Sequence, residues 1–419
     1  MKLSHSFNIK VNERIAIILG HITYAASKLY NYGNYERNEY KTLGYEKMPN
    51  WYSQKKDLKD NMWYKSLPAQ TSQDVLQRLD EGWRSFFKLK KTKGIENPRP
   101  PYYKKDGYHM NVKYLNNSFK VMDGCIRLMI SKALRTYLKE KFDIDDKFLY
   151  IPIKKEIENI KQVEFKYLNK NEYKVYVIYE KAEKATLIDN GNYIGIDLGV
   201  CNLATIYDNK GKSFIISGNT YQNTLYYYNK KMAHYQSMLA KAKNITSEKE
   251  ICSLQSKRLK RLQAKKNNKI NYIIHASTRK IVDYCIKNEI TNVVIGDIQG
   301  IRKDNDKGRL FNQKLHSLPY LQFYRKLEYK LKMEGIKLIY QKENYTSGVS
   351  PTDEVIQDNY KKSKRVKRGL YRDGKVIYNA DSVGAYNILR LYKQKSGMNI
   401  STPLKGLSNP NKISICVTG

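Results

Sequence analysis

Apolar positions in this chain alternate first and then change period. Residues Leu3–Val11 place Phe7, Ile9 and Val11 at every second position, the spacing of a half-buried strand. From about residue 12 to 94 the spacing is helical. Ala16–Tyr30 carries one apolar face. Ser72–Phe87 carries another, through Val75, Leu76, Leu79, Trp83, Phe86 and Phe87, with Asp74 and Glu81 assigned to its polar side. Pro98, Pro100 and Pro101 mark a break. Between about 102 and 182 the period returns to two. Asn111–Tyr114, Ser118–Met122 and Cys125–Ile130 read as strands, with Asp123-Gly124 as a hairpin turn. A short helix near Ser131–Lys141 precedes a second hairpin, Val163–Tyr167 with Tyr173–Tyr179. These strands predict a small barrel joined back to the first strand, which makes the helical segment an insertion.

Beyond Asn190 the pattern changes again. Tyr193–Leu198, Leu203–Asp208 and Lys212–Ile216 read as three strands, followed by a helical stretch from about Tyr221 to Asn288, broken near Asn244–Ser247. Then come strand Asn292–Ile298, helix Leu318–Glu334, strand Ile336–Glu343, a hairpin over Val366–Tyr378 and helix Asp381–Tyr392. The tail from Ser396, with Pro403 and Pro410, reads as a mobile end. The order β-β-β-α-β-α-β-α over residues 191–393 is that of an RNase H-like nuclease domain.

Composition narrows the partners. Lys and Arg number 77 against 40 Asp and Glu, a formal net charge of +37. Such a surplus calls for a polyanion, nucleic acid first. AT-rich codons account for part of the lysine excess but not for so few acids. The 37 tyrosines add stacking surface suited to single strands and RNA. On the long helical stretch, Lys257, Arg258, Lys260, Arg261, Lys265 and Lys266 form a basic face with little acid to balance it. Apolar runs such as Ile15–Leu19 are too short to span a bilayer. The first residues do not form an export signal. Five cysteines without a CxxC pair speak for reduced thiols and against a disulfide scaffold or a multi-cysteine zinc site. A cytoplasmic, nucleoid-associated prokaryotic protein is the expectation.

Two aspartates carry the candidate chemistry. Asp197 lies inside the apolar strand Ile194-Gly195-Ile196-Asp197-Leu198-Gly199, where a carboxylate needs hydrogen bonds or a metal. Asp381, in Asn379-Ala380-Asp381-Ser382, stands at the entrance to the last helix. Alone it would read as an N-cap; with Asp197 in this topology it reads as a metal ligand. Two-ion phosphodiester hydrolysis needs oxygen ligands converging from separate elements, and a third carboxylate.

Those segments resemble a known family. Gly195-Ile196-Asp197-Leu198-Gly199-Val200-Cys201-Asn202-Leu203-Ala204-Thr205 resembles the first RuvC motif of TnpB proteins, the transposon-encoded RNA-guided nucleases related to type V CRISPR effectors. Asn379-Ala380-Asp381-Ser382-Val383-Gly384-Ala385-Tyr386-Asn387-Ile388-Leu389 resembles their third motif, and Leu67-Pro68-Ala69-Gln70 through Phe86-Phe87 is similar too. The resemblance implies a bilobed α+β multidomain protein. A wedge-like β-barrel would cover residues 1–11 and 96–190, with a helical recognition insertion at 12–95. A RuvC nuclease domain would cover 191–343 and 379–395, with a target-nucleic-acid-binding hairpin at 344–378 and a flexible tail at 396–419. It also implies cleavage of double-stranded DNA that matches a bound noncoding guide RNA, beside a short motif, with two Mg²⁺ ions. One protein copy per RNA is the favoured assembly.

The sequence departs from the family pattern twice. The second motif's glutamate is replaced by Gly296 in Val293-Val294-Ile295-Gly296-Asp297-Ile298, and the four zinc cysteines before the third motif are absent, so no zinc is expected. In a subset of the family the glutamate is relocated, and Glu343, in Gln341-Lys342-Glu343-Asn344-Tyr345, would supply the third carboxylate; Asp297 is the alternative. The hairpin is crowded by cations, among them Arg365, Arg368 and Arg372, which suits a basic flap on nucleic acid. Tyr52, Gln73 and Gln77 are candidate readers of the target-adjacent motif, since Gln pairs bidentately with adenine. Three alternatives stand: a nuclease-inactive RNA-guided DNA-binding repressor, a small type V CRISPR effector, and an unguided RuvC-like resolvase or transposase. The long basic N-terminal lobe argues against the last.

Overall fold

The computed structural model describes residues 1–92, 95–122, 124–153, 155–199, 201–297, 317–342, 346, 348–353, 355–356, 365–367 and 369–417, with backbone alone at 365 and 367. The chain divides into two compact units, Met1–Ala182 and Glu183–Gly419. The division falls before the expected 190/191 boundary. Residues 183–190 pack with the second unit: the Leu187 amide donates to Gly335 O at 2.8 Å, and Lys332 pairs with Glu183 at 2.9 Å.

In the first unit, strand β1 (Lys2–Lys10) pairs antiparallel along its whole length with β7 (Glu172–Glu180), from Lys2↔Glu180 to Lys10↔Glu172. The sheet continues through β6 (Ile160–Asn169) to β2 (Val112–Leu115). A second sheet joins β3 (Phe119–Met122), β4 (Cys125–Met129) and β5 (Phe148–Pro152), the last unforeseen in the sequence. The described strands thus form two sheets with no shared ladder, where one barrel was expected, and both pack on a common core. The helical insertion is α1 (Glu13–Asn38), α2 (Trp51–Asp57), α3 (Met62–Lys65) and α4 (Ala69–Thr92); α5 (Lys132–Phe142) lies between β4 and β5. Asn12 starts α1 by accepting the Ile15 amide at 2.9 Å.

Asp74 is not on the solvated side of α4. It is buried and held by Arg78 and by Lys113 at 2.8 Å. Asp80 is buried likewise, with Arg37 at 2.9 Å and Arg84 at 2.8 Å, while Gln54 accepts from Arg37 Nε at 2.8 Å. Helical spacing reports which way a side chain faces. It does not report a neighbouring helix that supplies a cation on that side.

The second unit is built on one sheet: β8 (Tyr193–Asp197), β9 (Asn202–Asp208), β10 (Ser213–Ser217), β11 (Asn292–Asp297), β12 (Lys337–Lys342) and β16 (Asn411–Ile413), in the order β12-β11-β8-β9-β10-β16. β8, β11 and β12 run parallel, and β9 runs antiparallel to β8 and β10. This reproduces the expected β-β-β-α-β-α-β-α succession. Its helices are α6 (Asn219–Ala242), α7 (Glu248–Ser253), α8 (Lys257–Lys287), α9 (Tyr320–Met333) and α10 (Ala380–Ser396). One face of the sheet packs Ile194, Ile196, Val293 and Ile295 against α8 and α9; the other packs Tyr193, Tyr207 and Val294 against α10. Between β12 and α10 stands a three-stranded sheet, β13 (Arg365–Lys367), β14 (Leu370–Asp373) and β15 (Val376–Asn379), turning at Gly374 with φ +56°.

The tail departs from the expected mobile end. β16 pairs parallel with β10, Phe214↔Asn411 to Ile216↔Ile413, and Ile400, Leu407 and Ile415 are buried. Its apolar residues are too widely spaced to register as a periodic element, so the pairing became visible only with the edge of β10 in place.

Candidate nuclease centre

Asp197 is the last residue of β8, on the sheet face that meets α10. Two glycines let that helix approach. A methyl group on Gly195 would run into the Ala385 carbonyl, and one on Gly384 would lie 2.5 Å from Asp197 Oδ2. The Asp197 carboxylate therefore rests against the helix turn that begins at Asp381, three residues before Gly384.

Asp381 is not the helix cap. Asn379 takes that role, its side chain accepting the amides of Asp381 and Ser382 at 3.1 Å each. The Asp381 carboxylate is left for other contacts, and its Oδ2 accepts Asn202 Nδ2 at 2.6 Å. Asn202 opens β9, just after the turn from β8. Its amide orients one carboxylate oxygen of Asp381 and leaves the other available. Asn202 was quoted in the first motif but given no role; its one signal was a polar side chain opening an otherwise apolar strand. Asp197 thus packs on the helix turn that Asp381 opens, and both carboxylates offer hard oxygen donors of the kind that suits Mg²⁺.

The remaining candidates divide. Glu343 lies outside the described residues, as does Arg368. Asp297 ends β11, in register with Lys342. By alternation it follows Val293 and Ile295, whose side chains face α8 and α9; on that same side burial raises the pKa of Tyr340, with smaller contributions from Glu328 and Asp297. Gly296, between them, shares the face of Val294, the α10 side where Asp197 lies. Among the described residues no three His, Cys, Asp or Glu side chains form a cluster able to hold a metal ion.

Arg372 is exposed on β14, opposite Ile377; Arg365 lies on β13. Lys257, Arg258, Lys260 and Arg261 form the exposed first turns of α8. In the first unit Tyr52 is 55% exposed on α2, its ring tilted against that of Trp51 with centroids 3.9 Å apart and Lys55 above both. Gln73 is half-buried and Gln77 exposed on the neighbouring α4. Among the described residues no helix is long and apolar enough to cross a membrane.

Comparison with known proteins places these features in company. A family model described as “Probable transposase” (OrfB_IS605) matches residues 176–302, and one described as “Cas12f1-like, TNB domain” matches residues 320–388. The TnpB-like protein ORF457 of Acidianus two-tailed virus is 22% identical over 424 residues, spanning 93% of this chain and 86% of that protein. In fold, the chain is similar to the protein of a Cas12f1–sgRNA–target DNA complex, with a TM-score of 0.54 and 19% identity over 89% of this chain and 82% of that one.

Proposed function

Taking the chain as a member of the TnpB family, we propose that it is an RNA-guided endonuclease that cuts double-stranded DNA by RuvC-type phosphodiester hydrolysis. The observation that supports this reading is the packing of Asp197 against the turn of α10 that Asp381 opens, with Asn202 hydrogen-bonded to Asp381. A structural cap would not need Asp381 once Asn379 holds the helix end. The formal charge of +37 supports nucleic acid as partner, and the family assignment supports a noncoding guide RNA and a short target-adjacent motif.

Asp197, Asp381 and a third acid would hold divalent ions of the Mg²⁺ type, which would supply Lewis-acid chemistry and activate water. The chain's own residues fix the acids: Gly195 and Gly384 admit α10 to the strand, and Asn202 sets the rotamer of Asp381. Glu343 is the better third acid. The family resemblance favours it, and the alternation of β11 gives Asp297 the parity of Val293 and Ile295, on the α8 and α9 side and away from Asp197.

The test is to purify the protein with its co-expressed RNA, sequence that RNA, and offer the complex a matching plasmid library with Mg²⁺ or EDTA. Guide-dependent cuts only with Mg²⁺, beside one enriched motif and lost in Asp197→Ala, are the expected result. Specific target binding without cuts would overturn the nuclease and leave the RNA-guided repressor.

A further inference from the structure

Helix α6, 24 residues long, has no acidic residue, and α8, 31 residues long, has only Asp283. The two pack antiparallel: Lys266 reaches Asn229 at 3.3 Å, and Arg258 lies over the Tyr235 ring at 4.0 Å. Tyr227, Lys231 and Tyr235 recur every four residues, so they form one stripe about 12 Å long on α6. Lys231 sits 4.6 Å from the centre of the Tyr227 ring, which is 50% exposed. Lys269 and Lys265 of α8 lie close enough to act on the Tyr227 phenol. Tyr227 is thus flanked by Lys231, Lys265 and Lys269, and the half-buried Tyr235 by Arg258; Asp283 is the one acid within α6 and α8, and Glu248 and Glu250 stand on α7.

The stripe has a direction. At its start a cavity of about 610 Å³ is walled by Tyr227, Tyr228, Lys269 and the C-terminal Ser414–Val417. Helix α6 begins beside Gly218, whose amide donates to Cys201 O at 3.2 Å, and the next residue, Asn202, holds Asp381. Going down α6 from Tyr235 to Tyr227 therefore leads toward the carboxylate pair.

We propose that this stripe is a stacking track for single-stranded DNA, which leads one strand toward Asp197 and Asp381. Bases stack on Tyr227 and Tyr235, and Lys231, Arg258, Lys265 and Lys269 take the phosphates. A duplex would hide its base faces from these rings, whereas a single strand offers a π-face at every nucleotide. The choice of DNA rests on the nuclease reading above; the stacking itself does not.

Binding is measured by fluorescence anisotropy in EDTA, with the full chain carrying its co-purified RNA. The probes are fluorescently labelled strands of one length, unrelated to the guide: single-stranded DNA, the same strand with abasic sites, single-stranded RNA and blunt duplex DNA. Replacing both rings (Tyr227→Ala with Tyr235→Ala) should weaken single-stranded DNA binding about tenfold or more, the scale of lost base stacking. Binding to abasic and duplex DNA should stay nearly unchanged, and the double Phe variant should retain affinity. Unchanged affinity in the double Ala variant would overturn the track. So would a uniform loss on all four probes, which marks a charged surface alone. Tighter RNA binding, or a crosslink of the co-purified RNA to Tyr227, would overturn the DNA assignment. Parent protein that binds in the expected way but never cuts would leave the track standing and remove the nuclease reading.

Discussion

Asn379 and Asp381 divide two tasks that one aspartate could have performed, and that division is testable. Asn379→Ala should cost about 1 kcal/mol of stability, as lost caps do. Asp381→Ala should instead abolish cleavage, by about 10³-fold or more, and leave guide-directed binding intact. Asn202→Ala should lower activity about tenfold to hundredfold, the usual effect of removing a group that orients a metal-binding carboxylate. Plasmid cleavage beside target binding separates the three. Glu343→Ala should behave like Asp381→Ala, and Asp297→Ala like the parent; full cleavage by Glu343→Ala would end the relocation idea. Asp197 stands out in the sequence because a carboxylate inside an apolar strand is anomalous; Asp381 stands out only beside it, since an aspartate at a helix entrance alone reads as a cap. Asn202 could not, because an amide opening a strand is unremarkable until its partner, 179 residues on, is in place.

At the scale of elements, buried ions decide how helices hold. Arg37 and Asp80 tie α1 to α4 with both side chains almost fully enclosed. Asp80→Ala leaves a buried guanidinium without its charge partner and should cost about 3–5 kcal/mol. All three tryptophans, Trp51, Trp63 and Trp83, lie in the first unit, so fluorescence-detected unfolding reports this loss directly. The packing of α8 on α9 is pH-dependent in a different way. Burial, aided by Lys326 and Lys330, lowers the His275 pKa from 6.5 to about 4. The folded state keeps this imidazole neutral where the unfolded chain takes up a proton. The stability it contributes is therefore complete above pH 6.5 and is lost as pH falls from 6.5 to about 4. Hydrogen exchange in α8 should accelerate over that window, and His275→Gln should flatten the response. Most elements were legible from period alone. β5 and β16 were not: each is short, and each exists because a neighbouring edge was open to it.

At the scale of the whole molecule, two units with separate cores carry a single excess of charge. Guide RNA binding should therefore fall steeply with salt, about 10³-fold or more between roughly 50 and 200 mM for six to ten neutralised phosphates. Electrophoretic titrations at several salt concentrations measure that slope. A flat response would mean that the lysines stand away from the RNA.

The pairing of β1 with β7 has a consequence during synthesis. The ribosome delivers β1 about 160 residues before its partner, an interval of roughly 10–30 s at ordinary elongation rates. Throughout that interval Phe7 and Ile9 belong to an unpaired edge, the kind of template on which nascent chains stick together. Lys2 and Lys10, at its two ends, give that waiting strand a charged fringe. Translation therefore leaves this first strand dependent on its own polar residues until the last strand of its sheet emerges.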